Sequence, residues 1–131
     1  MRNTKQVPNS LKIWFFIHFI IDYLLAIPLL FFPDYFLRYL GWITPDIFLA
    51  RLVGAALIGI GGVSLLQNKS SLDSYNSLLT LKILWSLTAI ISIILSILEG
   101  TTPKIIWLIL IIFIIFSILW IYYKLKINIK F

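Results

Sequence analysis

The 131 residues are 61% apolar and 12% charged, and they include no cysteine. Soluble domains are usually about 45–50% apolar and about 25% charged, so a soluble enzyme, a disordered regulator and a secreted disulfide scaffold are excluded. Thiol catalysis and thiolate metal sites go with the missing cysteines, and the expected class is an all-α integral membrane protein.

A membrane-crossing helix needs about 20 mostly apolar residues. Four stretches meet that length: residues 13–32, 47–66, 78–98 and 105–122. Barrel strands would alternate apolar with polar residues over about ten positions. The run Ile111-Ile112-Phe113-Ile114-Ile115 has no polar residue to alternate with. The expected architecture is a four-helix transmembrane bundle forming a single domain over residues 1–131.

The first span carries Asp22 near its midpoint, with His18 one turn before it and Ala26 one turn after it on the same face. Its apolar run is about twice a signal-peptide core and lacks a small-x-small cleavage site, so it is expected to stay attached. Phe32-Pro33-Asp34 closes it, because proline disfavours helix in the residue before it. In residues 33–41, Phe36, Leu37 and Leu40 share a face opposite Asp34 and Arg38. This segment is either a short helix lying in the membrane interface or an ordered loop.

Thr44-Pro45-Asp46 opens the second span, read as N-cap, first-position proline and first-turn acid. Arg51 lies roughly 7 Å inside that span, and its long side chain can reach outward to the interface or inward to Asp22. Ala50, Gly54 and Gly61 form one stripe, and Arg51, Ala55, Gly59 and Gly62 form the next. Small residues at four-residue spacing let helices approach closely, here against the first or third span or at a dimer seam. Gly59-Ile60-Gly61-Gly62 follows no strand and is not read as a phosphate loop.

The third span has Lys82 near its start and the row Thr88, Ser92, Ser96 further on, whose hydroxyls can bond back to the helix or across to a neighbour. Glu99-Gly100-Thr101-Thr102-Pro103 separates it from the fourth span, whose only interior polar residue is Ser117. That span is expected to face lipid.

Arg2, Lys5, Lys12, Lys69, Lys82, Lys124, Lys126 and Lys130 fall on one side of this layout, and Arg38, Arg51 and Lys104 on the other. The imbalance predicts a multi-pass cell-membrane protein with both termini cytoplasmic. It also accounts for the net charge of +6 without a nucleic-acid partner. Trp14, Trp120, Tyr122 and Tyr123 mark the inner aromatic belt, and Tyr35, Tyr39, Trp42 and Trp107 the outer one. The sequon Asn68-Lys69-Ser70 falls on the cytoplasmic side and is expected to be silent.

Charged groups within spans are costly and mark sites or pathways. If the first three spans are neighbours, Arg51, Asp22, His18 and Lys82 can line up as one polar seam. In a structural reading Asp22 and Arg51 neutralise each other and Lys82 reaches the headgroups. In a functional reading Asp22 and His18 form a proton relay or the counter-ion of a cationic substrate. A single histidine with scattered carboxylates predicts no metal and no cofactor, and no serine stands in a nucleophile motif, so no catalytic residue is assigned.

The run 31–66, FFPDYFLRYLGWITPDIFLARLVGAALIGIGGVSLL, together with Lys82 in LKILW, resembles small four-span prokaryotic membrane proteins of unknown function, loosely DoxX-like. The resemblance implies the four-span layout and no reaction, cofactor or substrate. The acidic residue associated with span four of such proteins has no counterpart between Phe113 and Trp120. The function expected first is a non-catalytic bundle that binds or scaffolds a lipid, a membrane-protein partner or a second copy. A small proton-coupled carrier using Asp22 and His18, and a lipid- or isoprenoid-modifying enzyme, are the alternatives.

Overall fold

A computed structural model describes residues 6–67 and 69–128. Arg2, Lys5, Asn68 and Lys130 lie outside the described residues. Within them all regular structure is helical: α1 (Asn9–Phe31), α2 (Pro33–Tyr39), α3 (Ile47–Leu66), α4 (Leu72–Leu98) and α5 (Ile106–Asn128). By length and composition α1, α3, α4 and α5 can each cross a membrane, as expected of a multi-pass membrane protein. Their outward surface is hydrocarbon, with Ile13, Leu24, Leu84 and Ile118 all more than half exposed. Apolar exposure on that scale marks a lipid or partner surface.

Three helices outrun the apolar stretches. α1 begins at Asn9, α4 begins at Leu72 and α5 continues to Asn128. The added turns carry Asn9, Ser10, Lys12, Asp73, Asn76, Lys124 and Lys126. Hydropathy reports only the part that matches hydrocarbon, whereas a helix satisfies its own backbone and continues into the polar headgroup layer.

Residues 33–41 do contain a helix. Pro33 stands in its first turn, where α2 itself needs no N–H from it, and Arg38 Nε donates to Asp34 Oδ1 at 3.0 Å across one turn. Gly41, at φ 111°, ends it. Its N–H donates to the Arg38 carbonyl and the Trp42 N–H to the Leu37 carbonyl, a paired closure that a side chain at Gly41 would strain. Gly100, at φ 71°, ends α4 in the same way: Gly100 N–H bonds Ile97 and Thr101 N–H bonds Ser96.

The start of α3 differs from the expected Thr44 cap. Asp46 caps it instead, accepting from the Leu49 N–H at 3.0 Å. A carboxylate makes a charge-assisted bond there and lies at the positive end of the helix dipole, an advantage a threonine hydroxyl lacks.

The chain divides into two compact units, Met1–Leu72 and Asp73–Phe131. In the first, α1 and α3 pack antiparallel. The buried row of α1 is Leu11, Phe15, His18, Asp22, Ala26 and Leu29, and that of α3 is Ala50, Gly54, Leu57, Gly61 and Ser64. Steps of three and four residues are the spacing of a helix-helix seam. A Cβ at Gly54 would stand 3.1 Å from the Ala26 carbonyl oxygen and 3.2 Å from the Leu30 nitrogen. Backbone therefore meets backbone, a closeness only glycine permits.

In the second unit α4 and α5 also run antiparallel. Trp85 faces Phe113 at 6.4 Å between ring centres, and Phe116 stacks on Trp120 at 5.5 Å. The outward surface expected of the fourth span is there in Leu108, Ile115 and Ile118, each more than half exposed, but it covers only part of the helix. α5 buries Ile106, Leu110, Phe116, Ser117, Trp120 and Tyr123. Apolar side chains are equally at home in lipid and in protein, so a shortage of polar residues does not say which helix packs; shape does. Thr88 and Ser92 on α4 are exposed instead. Thr88 Oγ1 donates to the Leu84 carbonyl at 2.7 Å, and Ser96 Oγ to that of Ser92 at 2.9 Å, both within their own helix.

Candidate intramembrane polar site

His18 and Asp22 occupy successive turns of α1, which brings His18 Nε2 to 3.4 Å from Asp22 Oδ1. The two residues are only 6% and 4% exposed, so the pair is held inside the fold. Asp22 also lies in the α1–α3 seam, directly against Gly61. A Cβ at Gly61 would stand 2.8 Å from Asp22 Cβ and 3.2 Å from Asp22 Oδ2. The carboxylate thus occupies space that a side chain at Gly61 would take.

At the next residue, Gly62 serves Tyr23 in a similar way. A Cβ there would come to 2.9 Å from the Tyr23 hydroxyl, which donates to the Ile58 carbonyl at 3.2 Å. That carbonyl sits one turn before Gly62 and is reachable because Gly62 has no side chain. Interhelical bonds of this kind hold helices together in lipid. Of the remaining small residues read as packing positions, Ala55 and Gly59 face outward, and a Cβ at Gly59 would meet nothing within 4 Å.

Arg51 does not pair with Asp22. Its Nε donates to the Leu30 carbonyl at 3.1 Å, two turns further along α1. The cause is the end of α1. The last carbonyls of a helix lack intrahelical donors and carry the negative end of its dipole. Pro33 deepens the deficit by bringing no N–H of its own. A guanidinium reaching from α3 supplies the missing donor.

Lys82 belongs to the second unit. It is 2% exposed, with Nζ 5.0 Å from the centre of the Trp120 ring. Burial excludes the reach to the headgroups given by the structural reading, and the approach of Nζ to the aromatic face is a favourable contact for a lysine out of water. Within this unit a cluster that the sequence reading missed joins the two helices. Lys124 Nζ donates to the Asn76 carbonyl at 3.1 Å, to Asn76 Oδ1 at 2.7 Å and to Thr80 Oγ1 at 2.6 Å, while Asn128 Nδ2 donates to Asn76 Oδ1 at 3.1 Å. The signal was present in the polar pairs Asn76/Thr80 and Lys124/Asn128, each one turn apart on its own helix.

Among the described residues no three His, Cys, Asp or Glu side chains gather as metal ligands. The chemistry on offer is that of an imidazole beside a carboxylate, which can exchange a proton or fix a helix register. No protein-family model, curated protein or solved structure matches the chain.

Proposed function

We propose that the protein is a non-catalytic multi-pass bundle of the cell membrane that holds a lipid or another membrane component, with both termini on the cytoplasmic side. One observation carries this reading: Asp22 is seated within the α1–α3 seam, directly against Gly61. A buried polar side chain fitted against a glycine of the facing helix favours one register of the seam, the best-attested use of a buried polar group. The distribution of lysine and arginine supports the orientation. The likeness of residues 31–66 to DoxX-like four-span proteins supports the layout.

A proton-coupled carrier is the second reading, and the 3.4 Å approach of His18 to Asp22 within a membrane-spanning helix favours it. Proton flux into liposomes separates the two. The scaffold reading expects no flux above protein-free liposomes for the wild type or for Asp22→Asn, with both proteins folded. Flux in the wild type that Asp22→Asn abolishes would establish the carrier and remove the scaffold.

A further inference from the structure

We infer that Arg51 is the anchor of a phospholipid site: its guanidinium takes the phosphodiester of one lipid, whose acyl chain lies over Ala55 and Gly59 on the outward face of α3. The inference deepens the lipid-holding arm of the proposed function and rests on it.

A guanidinium carries five N–H donors in a fixed fork. Arg51 uses its Nε–H on the Leu30 carbonyl. Among the described residues its two Nη groups have no hydrogen-bond partner, and no carboxylate lies within ion-pair distance. Asp46, one turn nearer the start of α3, is engaged in capping Leu49. Arg38 at the same end of the unit makes the contrast plain. Its Nε bonds Asp34 and its Nη1 bonds the Ile43 carbonyl, so that cation is balanced within the fold.

A charge near the hydrocarbon boundary needs a counter-ion, and the phosphate of the surrounding lipid is the one always present. The Leu30 bond holds the guanidinium by one edge, leaving Nη donors for the bidentate geometry that phosphate accepts and that a lysine ammonium cannot reproduce. The level is right as well. α2 at this end exposes Tyr35 and Tyr39, aromatic residues of the kind that sit at headgroup depth. Inward from Arg51, Ala55 and Gly59 follow at successive turns, both exposed, with the open space at Gly59 leaving room for a hydrocarbon chain. A free anion would have to shed its hydration to reach this depth, whereas a lipid phosphate is already there.

The test is native mass spectrometry of the full chain, released from mild detergent in the presence of equal amounts of phosphatidylglycerol and diacylglycerol. The wild type is expected to retain phosphatidylglycerol about tenfold over diacylglycerol, the scale of a charge-assisted hydrogen bond to phosphate. Arg51→Gln should remove that preference, and Arg51→Lys should recover only part of it. Millimolar inorganic phosphate should leave the bound lipid in place.

An unchanged preference in folded Arg51→Gln would overturn the inference. So would equal retention of the two lipids by the wild type, displacement by inorganic phosphate, or a second copy of the chain retained in place of lipid. Equal retention by the wild type overturns the inference even if Arg51→Gln does not fold, and Arg51→Lys, which keeps the charge, then carries the comparison of the variant with the wild type. Proton flux through Asp22 would end the scaffold reading without altering these lipid ratios, so the two failures are distinguishable.

Discussion

Alanine at Gly61 is the sharpest perturbation of the α1–α3 seam. The new methyl would lie 2.8 Å from Asp22 Cβ and 3.2 Å from both Asp22 Oδ2 and Tyr23 Cδ1. Carbon atoms pack best at about 3.5–4.0 Å, so the helices must part by about 1 Å or Asp22 must leave its place beside His18. Overpacking of this kind costs about 1–3 kcal/mol. The better helix propensity of alanine offsets up to about 1 kcal/mol, leaving a net loss of roughly 1–2 kcal/mol. Gly59 is the matched control. A methyl there meets nothing within 4 Å, so only the propensity gain remains, about 0.5–1 kcal/mol of stabilisation. Denaturation in mixed micelles, followed by far-ultraviolet circular dichroism, should show the two alanine variants moving in opposite directions, separated by roughly 2 kcal/mol. Equal stabilities for Gly61→Ala and Gly59→Ala would refute the close approach at Asp22.

The other expectations concern the ends of the helices. Lys124→Met removes the donor shared by Asn76 and Thr80; it should cost about 1 kcal/mol and speed amide hydrogen exchange over residues 121–128, and unchanged exchange would show that the cluster does not hold α5. Gly41→Ala forces a side chain into a left-handed conformation and should destabilise by about 1–2 kcal/mol in the same denaturation assay, whereas Thr44→Ala should be nearly silent because Asp46 caps α3. Asp46→Ala should cost about 1 kcal/mol, and a loss larger for Thr44→Ala than for Asp46→Ala would return the cap to the threonine.

The four long helices were legible in the sequence because each offers about 20 apolar residues, whereas for residues 33–41 the shared face of Phe36, Leu37 and Leu40 left a helix and an ordered loop equally open. Their ends were not, since hydropathy stops at Ile13 and Tyr122 while the backbone bonds of α1 and α5 continue to Asn9 and Asn128. The two small-residue stripes of α3 could be read, but not which residues would meet α1. In lipid no hydrophobic penalty marks the outward side, so Gly61 and Gly59 look alike until their neighbours are known. Within the polar site, the approach of His18 to Asp22 follows from one-turn spacing and was visible. The partner of Arg51 was not, because it is a main-chain carbonyl exposed by the end of a helix, and side-chain letters do not report backbone acceptors. The packing of α5 escaped for a related reason: Phe116, Trp120 and Tyr123 act by shape, which apolar composition does not encode.

The account depends most on the four helices crossing the bilayer an even number of times, and the absence of cysteine makes that directly measurable. Single replacements Ser10→Cys, Thr44→Cys, Thr102→Cys and Asn128→Cys, probed with a membrane-impermeant maleimide in sealed right-side-out vesicles, should label positions 44 and 102 at once and positions 10 and 128 only after permeabilisation. Labelling of positions 10 and 128 from opposite faces would contradict it.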